Sequence, residues 1–361
     1  MILFNDFSKE PKIIKQEIQR AIKKVVGSGW FILGKELEAF EWGFAQYIGT
    51  RYCIGVASGT EAIALSLMAH NIGSGDEVIT TNITAYPTIS GILQSGAKPV
   101  VVDIFSENGL IDYRKIQEKI TQNTKAIVPV HLYGQSCKLD EIILIAAENK
   151  LIVIEDCAQS TGATFNNLKC GAIGACGAFS FYPTKNLGAY GDGGAITTNE
   201  ETVYHKLLSL RNYGQTKRYH HESIGINSRL DEIQAAILNV KLQYLEHGNQ
   251  ERHEIALTYR KHLQTVECLT EENYGTHVNH LFVVKSQHRD KLAEHLKNKG
   301  IQTYIHYPIP VNRQKAFEWQ KAEKMENSDK FAESILSLPI YPGLSKQNIN
   351  QIIQNVNDFK I

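Results

Sequence analysis

The chain has 361 residues, 38 basic and 38 acidic side chains, and 43% hydrophobic residues. That length fits a large domain plus a smaller one, with apolar side chains enough for a substantial core. A formal net charge of zero excludes a global basic field for nucleic acid, no polybasic run suits a membrane surface, and no apolar stretch approaches the ~18 residues of a transmembrane helix.

The N-terminal run MILFNDFSKEPK lacks the basic-then-apolar layout of a signal peptide, so the chain reads as cytoplasmic. From residue 50 onward, short apolar runs alternate with helix-like segments. Strands are expected at Tyr52–Ala57, Glu77–Thr80, Lys98–Ile104, Ala126–His131 and Leu151–Glu155, with helices at Glu61–His70, Asp112–Ile120 and Leu139–Asn149. Continuous apolar strands joined by helices mean an α/β fold with a mostly parallel sheet, whose ligands sit beyond the carboxyl ends of the strands.

Ser58-Gly59-Thr60 ends the first strand and opens a helix, where free amides and the positive helix end favour a phosphate. A simple helix cap accounts for the same tripeptide. His131, in PVHLYGQ, is more naturally a packed histidine than a ligand. Asp156 closes the apolar run LIVIE, and Lys185 lies between the β-like Ala178–Tyr182 and the glycine-rich Gly188–Gly194. A lysine near the sheet end, beside an acid closing a neighbouring strand, suits pyridoxal phosphate (PLP). The amine forms a Schiff base with the aldehyde, and the carboxylate keeps the pyridine nitrogen protonated. The six cysteines (53, 137, 157, 170, 176 and 268) include no C-x-x-C pair, so buried thiols are expected and no metal site.

Farther on, Ser228 and Asp231 read as an S-x-x-D capping box for a long helix whose stripe is Leu230, Ile233, Ile237, Val240 and Tyr244. Asn227 then falls at a helix start. After it HLFVVKS reads as strand, RDKLAEHLKNKG as helix and IQTYIHY as strand. The division expected is a large domain over 1–238 and a smaller α+β domain over 239–361.

Four motifs carry a resemblance. VASGTEAIALSL, EDCAQSTGA, FSFYPTKNLGAYGDGGAI and GINSRLDEIQAAIL resemble, in order and spacing, the DegT/StrS-type nucleotide-sugar aminotransferases, and the likeness runs from about Phe4 to SLPIYPGL. It implies a PLP fold-type-I architecture, with a seven-stranded-type sheet flanked by helices and a small C-terminal domain. It implies that Lys185 holds PLP and shuttles the proton, Asp156 pairs with the pyridine nitrogen, Gln159 bonds the phenolic oxygen, and Gly59, Thr60 and Ser180 bind the phosphate. It also implies that Asn227 reaches the partner's cofactor phosphate, making a homodimer with composite active sites.

One departure from the family pattern stands out. In TTNITAYPTISG, Ala85 occupies the slot of the aromatic residue that covers the cofactor, and Tyr86 follows one place later. Tyr86 is the candidate for stacking, with Tyr182 and Tyr190 as substitutes. For the nucleotide sugar, His306 and Tyr307 line the pocket by resemblance. Lys217, Arg218 and Arg229 suit a diphosphate, Tyr219 a thymine ring, and Tyr182 a further substrate contact. SGWFILG, RNYGQTKRY and IHYPIPV resemble relatives acting on dTDP-3-oxo-6-deoxyhexoses. The implied reaction transfers the amino group of glutamate to carbon 3, giving a dTDP-3-amino sugar for surface polysaccharide such as O-antigen, or for glycosides. The alternatives are a 4-oxo sugar on UDP, GDP or dTDP, a PLP-dependent sugar dehydratase, and a PLP-binding regulator. The intact Lys185 argues against a dehydratase, which carries histidine there. The absence of spare length for a DNA-binding module argues against a regulator.

Overall fold

The computed structural model describes residues 1–320 and 323–360. Apolar runs between residues 52 and 198 become a seven-stranded sheet. Its strands are β1 (Tyr52–Val56), β2 (Glu77–Thr81), β3 (Lys98–Val102), β4 (Thr124–Val128), β5 (Ile152–Asp156), β6 (Cys176–Ser180) and β7 (Gly194–Thr198). Their spatial order is β1-β7-β6-β5-β4-β2-β3. From β6 to β3 neighbours are parallel, and β7 runs antiparallel to both β1 and β6.

Helices α1 (Lys12–Ser28), α2 (Lys35–Ile48), α3 (Gly59–Ala69), α4 (Pro87–Gln94), α5 (Leu139–Glu148) and α6 (Glu201–Leu210) precede or connect these strands. Leu65 and Leu67 of α3 pack with Val56, Ile154 and Ile196 in one apolar cluster. In another, Phe40 and Phe44 of α2 meet Phe179 and Phe181 edge-on, with ring centroids 5.0 to 5.4 Å apart. Such buried aromatic pairs contribute about 0.5–1.5 kcal/mol each beyond their burial. They fix the exit of β6, which runs directly into the Lys185 loop.

After α7 (Glu232–Leu242) and α8 (Leu245–His262) come β8 (Glu267–Cys268), β9 (Phe282–Lys285), α9 (Arg289–Asn298), α10 (Glu326–Ser334), β10 (Ile335–Leu338) and α11 (Lys346–Asn357). The antiparallel sheet β8-β9-β10 shares a core with Ile255 and Tyr259 of α8, Ile352 of α11 and the N-terminal Ile2. Residue 238 falls inside α7, which packs on α1 and α2.

Several sequence expectations need correction. The stretch Asp112–Ile120 is two 3-10 turns rather than one helix, because the Asp112 carboxylate accepts from the Arg114 amide and holds a turn. The Ser228–Asp231 capping box does not form. The Ser228 hydroxyl donates to Glu61 and accepts from the Ala57 amide, so the helix starts at Glu232 and breaks before Leu245. Asn227 therefore lies in an isolated bridge with Asn212, outside any helix start. IQTYIHY keeps only bridges at Ile301 and Tyr304. Glu232 supplies a cap of a different kind: its carboxylate accepts the amides of Gly34, Glu36 and Leu37 and so closes the N-terminus of α2.

Candidate active site

β5 ends at Asp156, opposite Ala178 of the parallel β6. The preceding Glu155 is fully buried and accepts the amides of Gly171, Ile173 and Gly174 together with His131 Nε2 at 3.0 Å. Burial pushes the Glu155 carboxyl up, but His131 and these amides more than offset it, leaving it below its ordinary value. His131, Glu155 and Cys157 are the group whose spacing suits a metal among the described residues. The Glu155 oxygens are already taken, and His131 Nδ1 accepts the Cys137 amide, so the cluster reads as a buried latch beneath β5.

Asp156 is 4% exposed. Its Oδ1 accepts the Ala158 amide at 3.0 Å and its Oδ2 the Thr88 hydroxyl at 2.8 Å. Burial drives its carboxyl up, and those bonds with the Lys185 charge only partly offset it, so it stays above its ordinary value. A buried carboxylate in that condition is short of a cation.

Lys185 sits on a tight loop. The Lys185 amide bonds the Tyr182 carbonyl and the Ala189 amide the Phe181 carbonyl, both at 2.8 Å. A Cβ at Gly188 would stand 2.3 Å from the Pro183 carbonyl oxygen, so only glycine closes the loop. The neighbouring Asn186 anchors it, donating to Asn249 Oδ1 at 2.8 Å and the Val278 carbonyl at 3.0 Å while accepting from His280 Nδ1 at 3.0 Å. Among the described residues Lys185 Nζ makes no hydrogen bond or ion pair. Burial lowers its pKa to about 8, against the pull of Asp156. Burial and the Lys185 charge also keep His306 neutral, down to about 4, and His280 well below its ordinary value.

Ser58 caps α3 through the Glu61 amide at 3.2 Å, leaving the amides of Gly59 and Thr60 at the open helix end. Ser180 of β6 lies against Gly59, where a Cβ would stand 2.7 Å from Ser180 Cβ. Gln159 accepts the Tyr133 amide and donates to Tyr307 Oη at 2.9 Å, and the Tyr133 hydroxyl donates to the His306 carbonyl. His306 and Tyr307 share a cavity of about 400 Å³ with Lys185, Thr184, His280 and Phe4.

The model of the DegT/DnrJ/EryC1/StrS aminotransferase family matches residues 12–357. The chain belongs to this family. It is 47% identical, over 99% of both chains, to the dTDP-3-amino-3,6-dideoxy-alpha-D-galactopyranose transaminase of Aneurinibacillus thermoaerophilus. Its fold superposes on the crystal structure of DesV from S. venezuelae with a TM-score of 0.96, 37% identity, and coverage of 99% and 98% of the two chains. The structure of NtdA from Bacillus subtilis with bound cofactor PMP gives 0.92 at 30% identity, covering 98% of this chain and 84% of that one. The chain is a PLP-dependent aminotransferase, with the fold-type-I sheet expected from its motifs.

The residues present fit PLP. A buried carboxylate short of a cation, a loop lysine without a partner and an open helix end offer the ring nitrogen, aldehyde and phosphate their complements. Tyr182 opens the Lys185 loop, its carbonyl accepting the Lys185 amide. Tyr86 stands at the N-terminus of α4, two residues before Thr88, and packs with Ile89, Val101, Val311, Phe317 and Met325. Tyr182, Lys217, Tyr219 and Asn227 are exposed, and Arg229 donates to Asn212 beside the Tyr213 ring. Thr88, Asn186 and His280 escaped the sequence reading, because each acquires its place through a partner many residues away.

Proposed function

We propose that this enzyme transfers the amino group of L-glutamate to the 3-oxo carbon of a dTDP-linked 6-deoxyhexose, giving a dTDP-3-amino sugar. PLP, when bound, supplies the electron sink and carries the amino group between the two half-reactions. The chain supplies the rest. Asp156 keeps the ring nitrogen protonated, and Gly59, Thr60 and Ser180 hold the phosphate through amides and a hydroxyl. Lys185 Nζ, whose pKa burial lowers to about 8, takes the proton from the donor's α-carbon in its neutral form and later delivers one to the sugar carbon. His306 and Tyr307, the latter held by Gln159, shape the wall of the cavity in which the sugar ring sits.

The observation that carries this reading is the convergence of Asp156, Lys185 and the α3 N-terminus on the sheet end. The activity named for the 47% identical relative supports carbon 3 and dTDP. We assign the working form as a cytoplasmic homodimer with composite sites. Asn227, Lys217 and Tyr219 are exposed on the single chain, and Trp30, Phe31 and Ile32 expose 63, 48 and 40% of their surface in one apolar patch. Arg229, beside Asn212, faces the substrate diphosphate in this reading. Incubating the protein with PLP, L-glutamate and separate 3-oxo and 4-oxo nucleotide sugars, then resolving the products by chromatography, tests it. Amination confined to 4-oxo sugars refutes the assignment.

A further inference from the structure

A second cavity, of about 140 Å³, also reaches Lys185. It is bounded by the N-terminal segment from Asn5 to Ile14, the Pro183–Asn186 loop, α8 and the turn at Tyr341–Pro342. Most of its charges are matched within the chain. Lys241 pairs with Glu10 at 3.1 Å, and Glu251 contacts His247 at 3.0 Å while also accepting the Gly343 amide. Asp6 accepts from the Ser8 amide.

Arg252 is the exception. It is 5% exposed and forms no ion pair with any carboxylate among the described residues. Its Nη1 donates to the His280 carbonyl at 3.3 Å and to the Ile340 carbonyl at 2.8 Å. A guanidinium has five N–H donors, and those two bonds use two of them. Nε and Nη2 find no protein acceptor among the described residues. Burial lowers the Arg252 pKa to about 10, against the pull of the nearby Glu251 charge, leaving it cationic at neutral pH. Tying two carbonyls together needs a donor and no charge, and a buried charge with no carboxylate in contact is costly. The remaining fork suits a planar anion, and a carboxylate matches it bidentately.

We infer that Arg252 is the docking point for a carboxylate of the amino-acid donor, received in the cavity between α8, the N-terminal segment and the Lys185 loop. This rests on the reading of the enzyme as a transaminase that takes its amino group from an amino acid. The two substrates then use different recognition. The keto-sugar is held by the His306–Tyr307 cavity, and the donor by the guanidinium that shares Lys185 with it. Because Arg252 also bonds the carbonyl of His280, whose imidazole holds Asn186, a docked carboxylate sits one link from the loop that presents Lys185.

The test follows the two half-reactions separately by the colour change of the bound cofactor in the holoenzyme. In Arg252→Lys and Arg252→Met, the L-glutamate concentration for half-maximal conversion should rise about ten- to hundred-fold, while that for the keto-sugar stays near wild type. An unchanged glutamate dependence, or equal weakening of both half-reactions, overturns the proposal. Should Arg252→Met fail to fold, crystals of wild-type holoenzyme grown with maleate decide it. Maleate oxygens on Arg252 support the site, and density lacking maleate there overturns it. A wild-type enzyme whose colour no amino acid discharges refutes the transaminase reading itself, a different outcome from wild-type and Arg252 variants responding alike.

Discussion

Replacing Asp156 with Asn isolates a charge while keeping a side chain of the same shape. Asn Oδ1 still accepts the Ala158 amide, and the Thr88 hydroxyl can turn to accept from Nδ2 instead of donating. What disappears is the anion opposite the protonated ring nitrogen. A hydrogen bond to a charged group contributes about 1.5–3 kcal/mol, so turnover should fall at least roughly ten- to hundred-fold, with PLP still bound. The stability of the cofactor-free protein should change in the opposite direction. The folded Asp156 pKa is raised, chiefly by burial, above its unfolded value of about 3.9. The folded state therefore binds the proton more tightly, and the stability this confers is present at low pH and lost as pH rises through the folded value. Above the folded value the apo wild type bears the whole cost of the buried anion. Apo Asp156→Asn should melt higher than apo wild type at neutral pH, and that gain should vanish below about pH 3.9. With PLP loaded, the order of melting temperatures should reverse. Steady-state kinetics with glutamate, and thermal melts with and without cofactor, measure both parts. Near-normal turnover, or an apo variant less stable than apo wild type at neutral pH, refutes the assignment of Asp156 as the partner of a cation.

Four further outcomes follow from the same geometry. Lys185 in the apo protein should react with an amine-directed reagent with a midpoint near pH 8, mapped by peptide mass spectrometry. Because the unfolded lysine holds its proton up to about 10.4, wild-type stability should gain between about pH 8 and 10.4, a gain absent from Lys185→Met. Gly59→Ala would set a Cβ 2.7 Å from Ser180 Cβ, and PLP affinity should drop about tenfold or more in a chain that still folds, as titration would show. Mixing Asn227→Ala with Lys185→Ala subunits should restore activity through one native site per heterodimer, and no gain in proven heterodimers excludes a shared site.

The strands and the sheet end were legible because buried parallel strands leave unbroken apolar runs, as in LIVIE before Asp156 and the run into β3. Lys185 and Asp156 were legible as motif residues, and the structure brings both to the sheet end. Local signals failed where a distant partner intervened. Ser228 has the right chemistry for a cap, yet its hydroxyl is taken by Glu61, 167 residues away in sequence. Thr88 acts on Asp156 across 68 residues and Asn186 on Asn249 across 63, separations that no periodicity encodes. Arg252 looks like an ordinary helical arginine until the fold buries it with no carboxylate in contact among the described residues.

The position at which nitrogen arrives on the sugar tests the central claim most directly. The enzyme, PLP, [15N]-L-glutamate and a dTDP-3-oxo-6-deoxyhexose should give a dTDP-sugar whose NMR spectrum places the 15N label on carbon 3, with no label transfer by Lys185→Ala. Label on carbon 4, or undiminished transfer by the Lys185→Ala protein, would contradict the account.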